Sequence, residues 1–212
     1  LERDLPMLGL NANPIWARRL WQMLAHLHGL TTNYSELSKS LEVDAKTIKR
    51  QLDFLESAFL INQLQPYHAN SKKRLVKASK VYFRDSGIVH HLLNIHNIND
   101  LLGHIKMGST WEGFVIEQIH QLKPSGSELY FYRTHNGAEL DVLIAKNGEI
   151  KAGIEIKYGD QVKVSRGNTE AANELEIENR FVIKQNPDDW VMANGFRVVG
   201  VDNFIHEYLP KL

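Results

Sequence analysis

Two carboxylates and an amine are the residues of this chain whose types and spacing could do chemistry: Asp141, then Glu155 after thirteen intervening residues, then Lys157. Hard cations such as Mg²⁺ or Mn²⁺ are held by one or two carboxylates together with waters and substrate phosphates, and an acidic pair beside a lysine offers that donor set. Whether the pair meets depends on the stretch that carries it, Ala138 to Lys157. Leu140, Val142 and Ile144 alternate with Glu139 and Asp141, and Ile150, Ala152, Ile154 and Ile156 alternate with Lys151, Glu155 and Lys157. This period predicts a β-hairpin whose arms each have one apolar face.

The turn between the arms is Lys146-Asn147-Gly148-Glu149. A plain two-residue Asn-Gly loop would set Asp141 opposite Ile154 and lay the apolar face of one arm beside the polar face of the other. Because a slip of one residue flips every side chain, that register is rejected. A three-residue loop or a bulge near Gly148 restores the match and places Leu140 opposite Ile156, Val142 opposite Ile154, and Asp141 opposite Glu155. Like charges so opposed are destabilising, so the arrangement calls for a counter-charge, either Lys157 or a divalent cation. A solvated strand face with a surface ion pair is the alternative that this stretch alone leaves open.

Asp141 followed by Glu155-Ile156-Lys157 resembles the D…ExK signature of the PD-(D/E)XK restriction-endonuclease-like nucleases. The wider blocks KRLVKASKVYFRDSG (73–87), GSTWEGFVIEQI (108–119), YRTHNGAELDVLI and AGIEIK are similar to the C-terminal half of a large group of prokaryotic AAA-type ATPases, the region known as domain of unknown function 4143. In that family an ATPase module is followed by a winged helix and then a nuclease-like domain. The resemblance implies an α/β (α+β) fold: an N-terminal winged helix-turn-helix over residues 1–80, then a restriction-endonuclease-like mixed sheet flanked by helices over residues 81–212. It also implies Mg²⁺ or Mn²⁺ held by Asp141, Glu155 and the Ile156 carbonyl, with a helix glutamate, Glu112, beside the same metal and Glu117 in reserve. Lys157 would orient the attacking water or stabilise the phosphate, and the reaction would be phosphodiester hydrolysis of DNA. A non-catalytic DNA-binding or protein-interaction module that uses the nuclease fold as a scaffold would have the same core, because function resides in the site.

Other elements must position these residues. Pro14 opens an amphipathic helix ending at Gly29, Tyr34–Leu41 reads as a short helix, and Asp44 caps a longer one carrying Ile48, Leu52, Leu55 and Phe59. Two helices joined by a tight turn suggest a helix-turn-helix. Its second helix shows Lys46, Thr47, Lys49 and Arg50 near the N-terminus, where a recognition helix meets DNA. Two β-prone runs flank Asn70-Ser71 like a wing, whose Lys72, Lys73 and Arg74 suit phosphate neutralisation; docking to a protein is the competing reading of these charges. Asp85 or Ser86 caps a further helix, and from Ser109 or Thr110 a helix runs to about Leu122 with Trp111, Phe114, Val115, Ile119 and Leu122 as its buried stripe. Arg133 and His135 end a strand near the hairpin, where Arg133 could reach a phosphate or pair with Glu139 or Asp141. A crossover helix over 164–175, strands over 180–184 and 196–201, and a closing short helix complete a sheet with helices on its faces.

Composition narrows the field. The 25 acidic and 25 basic residues cancel, so attraction to nucleic acid must come from local patches, and 43% hydrophobic residues suffice for a real core. With no cysteine, disulfides, thiol catalysis and thiolate zinc sites are excluded. There is no signal-peptide pattern and no apolar run long enough to span a membrane, so a cytoplasmic protein is expected. The chain starts LERDLP without Met and contains no GxxxxGK[ST] phosphate loop, so it is read as a fragment or truncated member of the family. DNA and an ATPase module are the partners implied, a membrane is not, and an oligomer is compatible with the sequence.

Overall fold

The computed structural model describes residues 14–68 and 76–212. In chain order the elements are helices α1 (Pro14–His26), α2 (Tyr34–Ser40) and α3 (Ala45–Ser57); strands β1 (Ile61–Pro66) and β2 (Lys80–Phe83); helices α4 (Ser86–Leu92), α5 (Ile98–Leu102) and α6 (Met107–Leu122). Strands β3 (Ser127–Arg133), β4 (Glu139–Lys146) and β5 (Glu149–Ile156) follow, then helix α7 (Arg166–Glu174) and strands β6 (Arg180–Lys184), β7 (Asp189–Val191) and β8 (Arg197–Gly200). A helical stretch beginning with α8 (Val201–Asn203) and reaching Lys211 closes the chain. The strands form an eight-stranded mixed sheet in the order β2-β1-β3-β4-β5-β6-β8-β7, so the chain is a mixed α/β protein.

Two compact units divide the described residues: 14–63 with 78–113, and 64–68 and 76–77 with 114–212. Residues 81–113, which the sequence division at 80/81 placed in the second domain, cluster with the first unit. The physical reason is that Val81, Phe83 and Val89 are buried in one core with Leu24, Leu37 and Leu52. Trp21 packs on Phe83 with ring centroids 5.4 Å apart.

Local chemistry sets the helix ends of the first unit. Asn33 caps α2 through the Glu36 amide, and Asp44 caps α3, accepting from the Thr47 amide at 2.7 Å and the Thr47 hydroxyl at 2.9 Å. Asp85, rather than Ser86, caps α4 by accepting from the Gly87 amide. Of the residues expected to contact DNA, Lys46, Thr47, Lys49 and Arg50 lie on the first two turns of α3, and Lys49 pairs with Asp53 at 2.7 Å. The expected wing tip, with Lys72, Lys73 and Arg74, lies outside the described residues.

In the second unit β3, β4 and β5 are antiparallel, β5, β6 and β8 run parallel, and β1 joins β3 in parallel through Gln65 and Pro66. Helix α7 is the expected crossover between the parallel strands β5 and β6. Its Ala171 and Ala172 are buried together with Leu140, Leu143, Val182 and Val198. The predicted stripe of α6 is corrected: Val115, Ile116 and Ile119 are buried, whereas Phe114 and Leu122 are exposed. Helix α6 also starts at Met107, before the expected Ser109 or Thr110.

The hairpin departs from expectation in having no solvated face. Leu143, Ala145 and Gly153, on the face that also carries Glu155, are buried. A Cβ on Gly153 would meet Ile177 at 2.8 Å and Leu140 at 3.1 Å, so the chain beyond α7 closes directly on this strand. A strand covered on both faces reads as a nearly continuous apolar run, which Leu-Asp-Val-Leu-Ile-Ala in β4 is, apart from its one carboxylate.

Candidate metal centre

The register that brings the carboxylates together is built by two devices. Asn147 and Gly148 both adopt positive φ, 55° and 81°, and form a tight two-residue turn that pairs Lys146 with Glu149. The pairing then shifts: Ala145 faces Ile150, but Ile144 faces Ala152, leaving Lys151 as the extra residue of a β-bulge. From there Leu143 faces Gly153 and Val142 faces Ile154, the expected register. The bulge falls two to three residues past Gly148 and rescues the Asn-Gly loop that alternation alone would reject.

One step beyond Val142 and Ile154 stand Asp141 and Glu155, 8% and 4% exposed. The next link between the strands is a side chain: Asp141 Oδ2 accepts the main-chain N–H of Ile156 at 2.8 Å. Ile156 itself pairs with Ile183 on β6, and the Lys157 amide donates to the Ile183 carbonyl, so the ExK segment is clamped from both sides. Burial and the neighbouring Asp141 push the Glu155 carboxyl up to about 8, while Lys157 opposes the shift. The Lys157 ammonium lies against Glu155 Oε1 and keeps 37% of its side-chain surface in solvent.

Sequence reading missed Asn168. Its Nδ2 donates to Glu155 Oε2 at 2.8 Å and to the Glu139 carbonyl at 2.9 Å. Its Oδ1 accepts from the Ser165 amide and hydroxyl at 2.8 and 2.6 Å, and its main-chain amide donates to Ser165 Oγ at 3.0 Å. Ser165 and Asn168 are therefore the capping box of α7. The Ser-x-x-Asn spacing ahead of Ala171-Ala172 announced the cap, but nothing local announced the contact with Glu155. Gly167 matters in the same turn, since a Cβ there would stand 2.3 Å from the Gly137 carbonyl oxygen. Of the other residues expected near the site, Arg133 pairs with Glu139 at 3.6 Å, and His135 is exposed on the turn between β3 and β4.

Glu112 is placed differently. It belongs to the first unit, where it pairs with the Lys80 ammonium at 3.2 Å and accepts from the Tyr82 hydroxyl. Lys80 is buried, so this carboxylate has the partner that its position beside a core stripe demands. Glu117, the reserve candidate, accepts from the Gln121 amide at 2.7 Å. Among the described residues no group of three or more His, Asp or Glu side chains is arranged to hold a metal. Asp141 and Glu155 nevertheless fit a small hard cation by chemistry: two adjacent, buried carboxylates, which Mg²⁺ completes with waters and phosphates.

Comparison with known proteins adds relatives to this geometry. Residues 107–204 match the family model "Domain of unknown function (DUF4143)". Residues 1–99 match a second, "Domain of unknown function (DUF8612)". The uncharacterized proteins Mb2031c of Mycobacterium bovis and Rv2008c of Mycobacterium tuberculosis are each 37% identical over 208 residues, covering 92% of this chain and 47% of theirs. The chain thus spans about half the length of the curated relatives it matches. No solved structure matches it. The DUF4143 match contains Asp141, Glu155, Lys157 and Asn168, and so covers the hairpin, its clamp on β6 and the cap of α7.

Proposed function

We propose that the second unit is a metal-dependent nuclease module that hydrolyses phosphodiester bonds of DNA, with a restriction-endonuclease-like arrangement of its sheet and helices. The observation that carries this reading is the burial of two carboxylates at the end of a strand pair, Asp141 close enough to raise the Glu155 carboxyl and Lys157 beside Glu155. With Lys157 as the one positive charge beside it, Glu155 holds a proton at neutral pH, and a bound divalent cation would take that proton's place. Asp141, Glu155 and the Ile156 carbonyl would hold Mg²⁺ or Mn²⁺. The bound ion would supply Lewis acidity at the phosphate and a water of lowered pKa.

The chain's own groups do the rest. Asp141, tied to the Ile156 amide, holds its carboxylate in place against the strand end. Lys157, partly in solvent, would turn its ammonium from Glu155 toward a phosphate oxygen or an attacking water. Glu112 is not included in this metal set, because Lys80 and Tyr82 occupy its carboxylate.

The first unit is read as a winged helix that binds DNA through Lys46, Thr47, Lys49 and Arg50 on α3, with Lys72, Lys73 and Arg74 as further phosphate contacts. The exposure of Lys46, Lys49 and Arg50 supports that reading. The relatives' additional length leaves room for the ATPase module of the AAA-type family, which would be the partner of this chain in a cytoplasmic protein. A second reading, a DNA-binding or protein-interaction module on a nuclease scaffold, is favoured by Lys157 and Asn168 already contacting both oxygens of Glu155.

Cleavage of plasmid and short linear DNA with Mg²⁺ or Mn²⁺ separates the two. Cutting by the wild type, with loss of at least about a hundredfold in Asp141→Ala and Lys157→Ala, is expected of the nuclease. Equal inactivity of all three proteins, with salt-dependent DNA binding retained, would overturn it in favour of the scaffold.

A further inference from the structure

Asn168 forms more hydrogen bonds than a helix cap needs. A capping box requires an acceptor at the third helical position, which Asp, Glu or Gln would also supply, and the Oδ1 contacts with Ser165 fill that role. The other half of the side chain, Nδ2, points away from the cap and donates both of its protons, one to the Glu139 carbonyl and one to Glu155 Oε2. The amide orientation is determined by its partners, since the Ser165 N–H needs an oxygen and the Glu139 carbonyl needs an N–H. A carboxylate of the same shape would turn an oxygen toward both the Glu139 carbonyl and Glu155. The Glu155 contact therefore explains why this position is an amide and not the acid that a helix N-terminus otherwise favours.

We infer that Asn168 is the positioning residue of the metal centre: by donating to Oε2 it fixes the plane of the Glu155 carboxylate and ties that plane to the first turn of α7. The inference rests on the metal-site reading above. It assigns separate tasks to the two oxygens, Oε2 held by the amide and Oε1 beside Lys157. Gly167 makes the arrangement rigid, because only a residue without Cβ lets this turn seat against the Gly137 carbonyl. Ser165-Arg166-Gly167-Asn168 then acts as one piece in which the cap, the close approach and the amide are inseparable. Groups that orient a metal ligand in this way typically cost 10- to 100-fold in metal affinity when replaced.

The test is Mn²⁺ binding to the full chain, read by water-proton relaxation, for wild type, Asn168→Asp and Asn168→Ala. Asn168→Asp keeps the cap acceptor, so a purely structural role leaves its Mn²⁺ affinity at the wild-type value, whatever the lost bond to the Glu139 carbonyl costs in melting temperature. The inference expects its Mn²⁺ affinity to fall about 10- to 100-fold with the melting transition retained; wild-type affinity in Asn168→Asp would overturn it. If Asn168→Ala does not fold, Asn168→Asp carries the comparison alone. Should the wild type bind no Mn²⁺, the metal reading fails on its own. The ¹H–¹⁵N resonances of the Asn168 side-chain amide in wild type and Glu155→Gln then decide: a shift upholds the positioning contact, and unchanged resonances overturn it.

Discussion

Asp141 reaches across the end of the hairpin and takes the main-chain N–H of Ile156 on its Oδ2 at 2.8 Å, where a strand carbonyl would otherwise serve. The carboxylate thus has a structural task, and removing it leaves a buried donor without a partner. Asp141→Ala is expected to lose about 1–3 kcal/mol in urea denaturation for that reason. Asp141→Asn keeps an oxygen for the Ile156 amide and removes the charge facing Glu155, so its stability is expected to equal or exceed that of wild type. Both variants lose DNA cleavage, which separates the charge from the hydrogen bond.

Glu155 imposes a pH dependence of a definite sign. Its folded-state pKa, about 8, lies above the ordinary value of 4.5, so between these pH values the folded protein holds a proton that the unfolded chain releases. Stability from this group is present below about pH 4.5 and is lost as the pH rises through about 8. Urea midpoints measured in chelator at pH 5, 6.5 and 8 are expected to fall in wild type and to change less in Glu155→Gln.

His28 has the opposite sign. It is 1% exposed, accepts the Phe83 amide on Nδ1 at 3.1 Å, and has its pKa lowered from 6.5 to about 4, by burial first and then by the charge of Lys106. The unfolded chain takes up the proton first, so stability is lost as the pH falls from 6.5 toward 4, by on the order of 3 kcal/mol in all. Acid titration followed by tryptophan fluorescence should show this loss in the first unit, which contains Trp21, and His28→Gln should flatten it.

Glu112, partly buried, pairs with the buried Lys80, and removing it leaves that buried ammonium without its carboxylate. Glu112→Ala is expected to cost about 3–5 kcal/mol in chemical denaturation. Its Mn²⁺ affinity is expected to be that of wild type, since Lys80 and Tyr82 occupy the Glu112 carboxylate. A loss of Mn²⁺ binding with stability unchanged would restore Glu112 to the metal set.

Gly167→Ala tests the seat of α7. A helix normally gains up to about 1 kcal/mol from Ala over Gly. Here the new Cβ meets the Gly137 oxygen, 2.3 Å away, so a net loss of about 1–3 kcal/mol is expected, read from the thermal midpoint. Stabilisation by this substitution would show that the turn gives way and that α7 is not held rigidly.

Much of the site was legible because a strand's side chains alternate with period two. Alternation around Asp141 and Glu155 rejected the plain Asn-Gly register and called for a loop or bulge, and the bulge at Lys151 sets Val142 opposite Ile154 as that reading expected. The cap by Asp44, the crossover helix and strand β6 were legible for the same reason, because local hydrogen bonding and periodicity dictate them. Strand β7 was not, since Asp189-Trp190-Val191 is a short, exposed segment held by its pairing with β8 and by the Tyr208 hydroxyl on Asp189.

By itself, then, the sequence determined which residues alternate, where helices begin, and that two carboxylates and a lysine share one strand end. Only the tertiary structure decided that the polar face of the hairpin is buried under α7, that Asn168 meets Glu155 across thirteen positions, and that Glu112 pairs with Lys80. These outcomes depend on how elements distant in sequence pack. A residue's own neighbours along the chain carry information about its period and its cap, but none about the side chain that will meet it from another helix or strand.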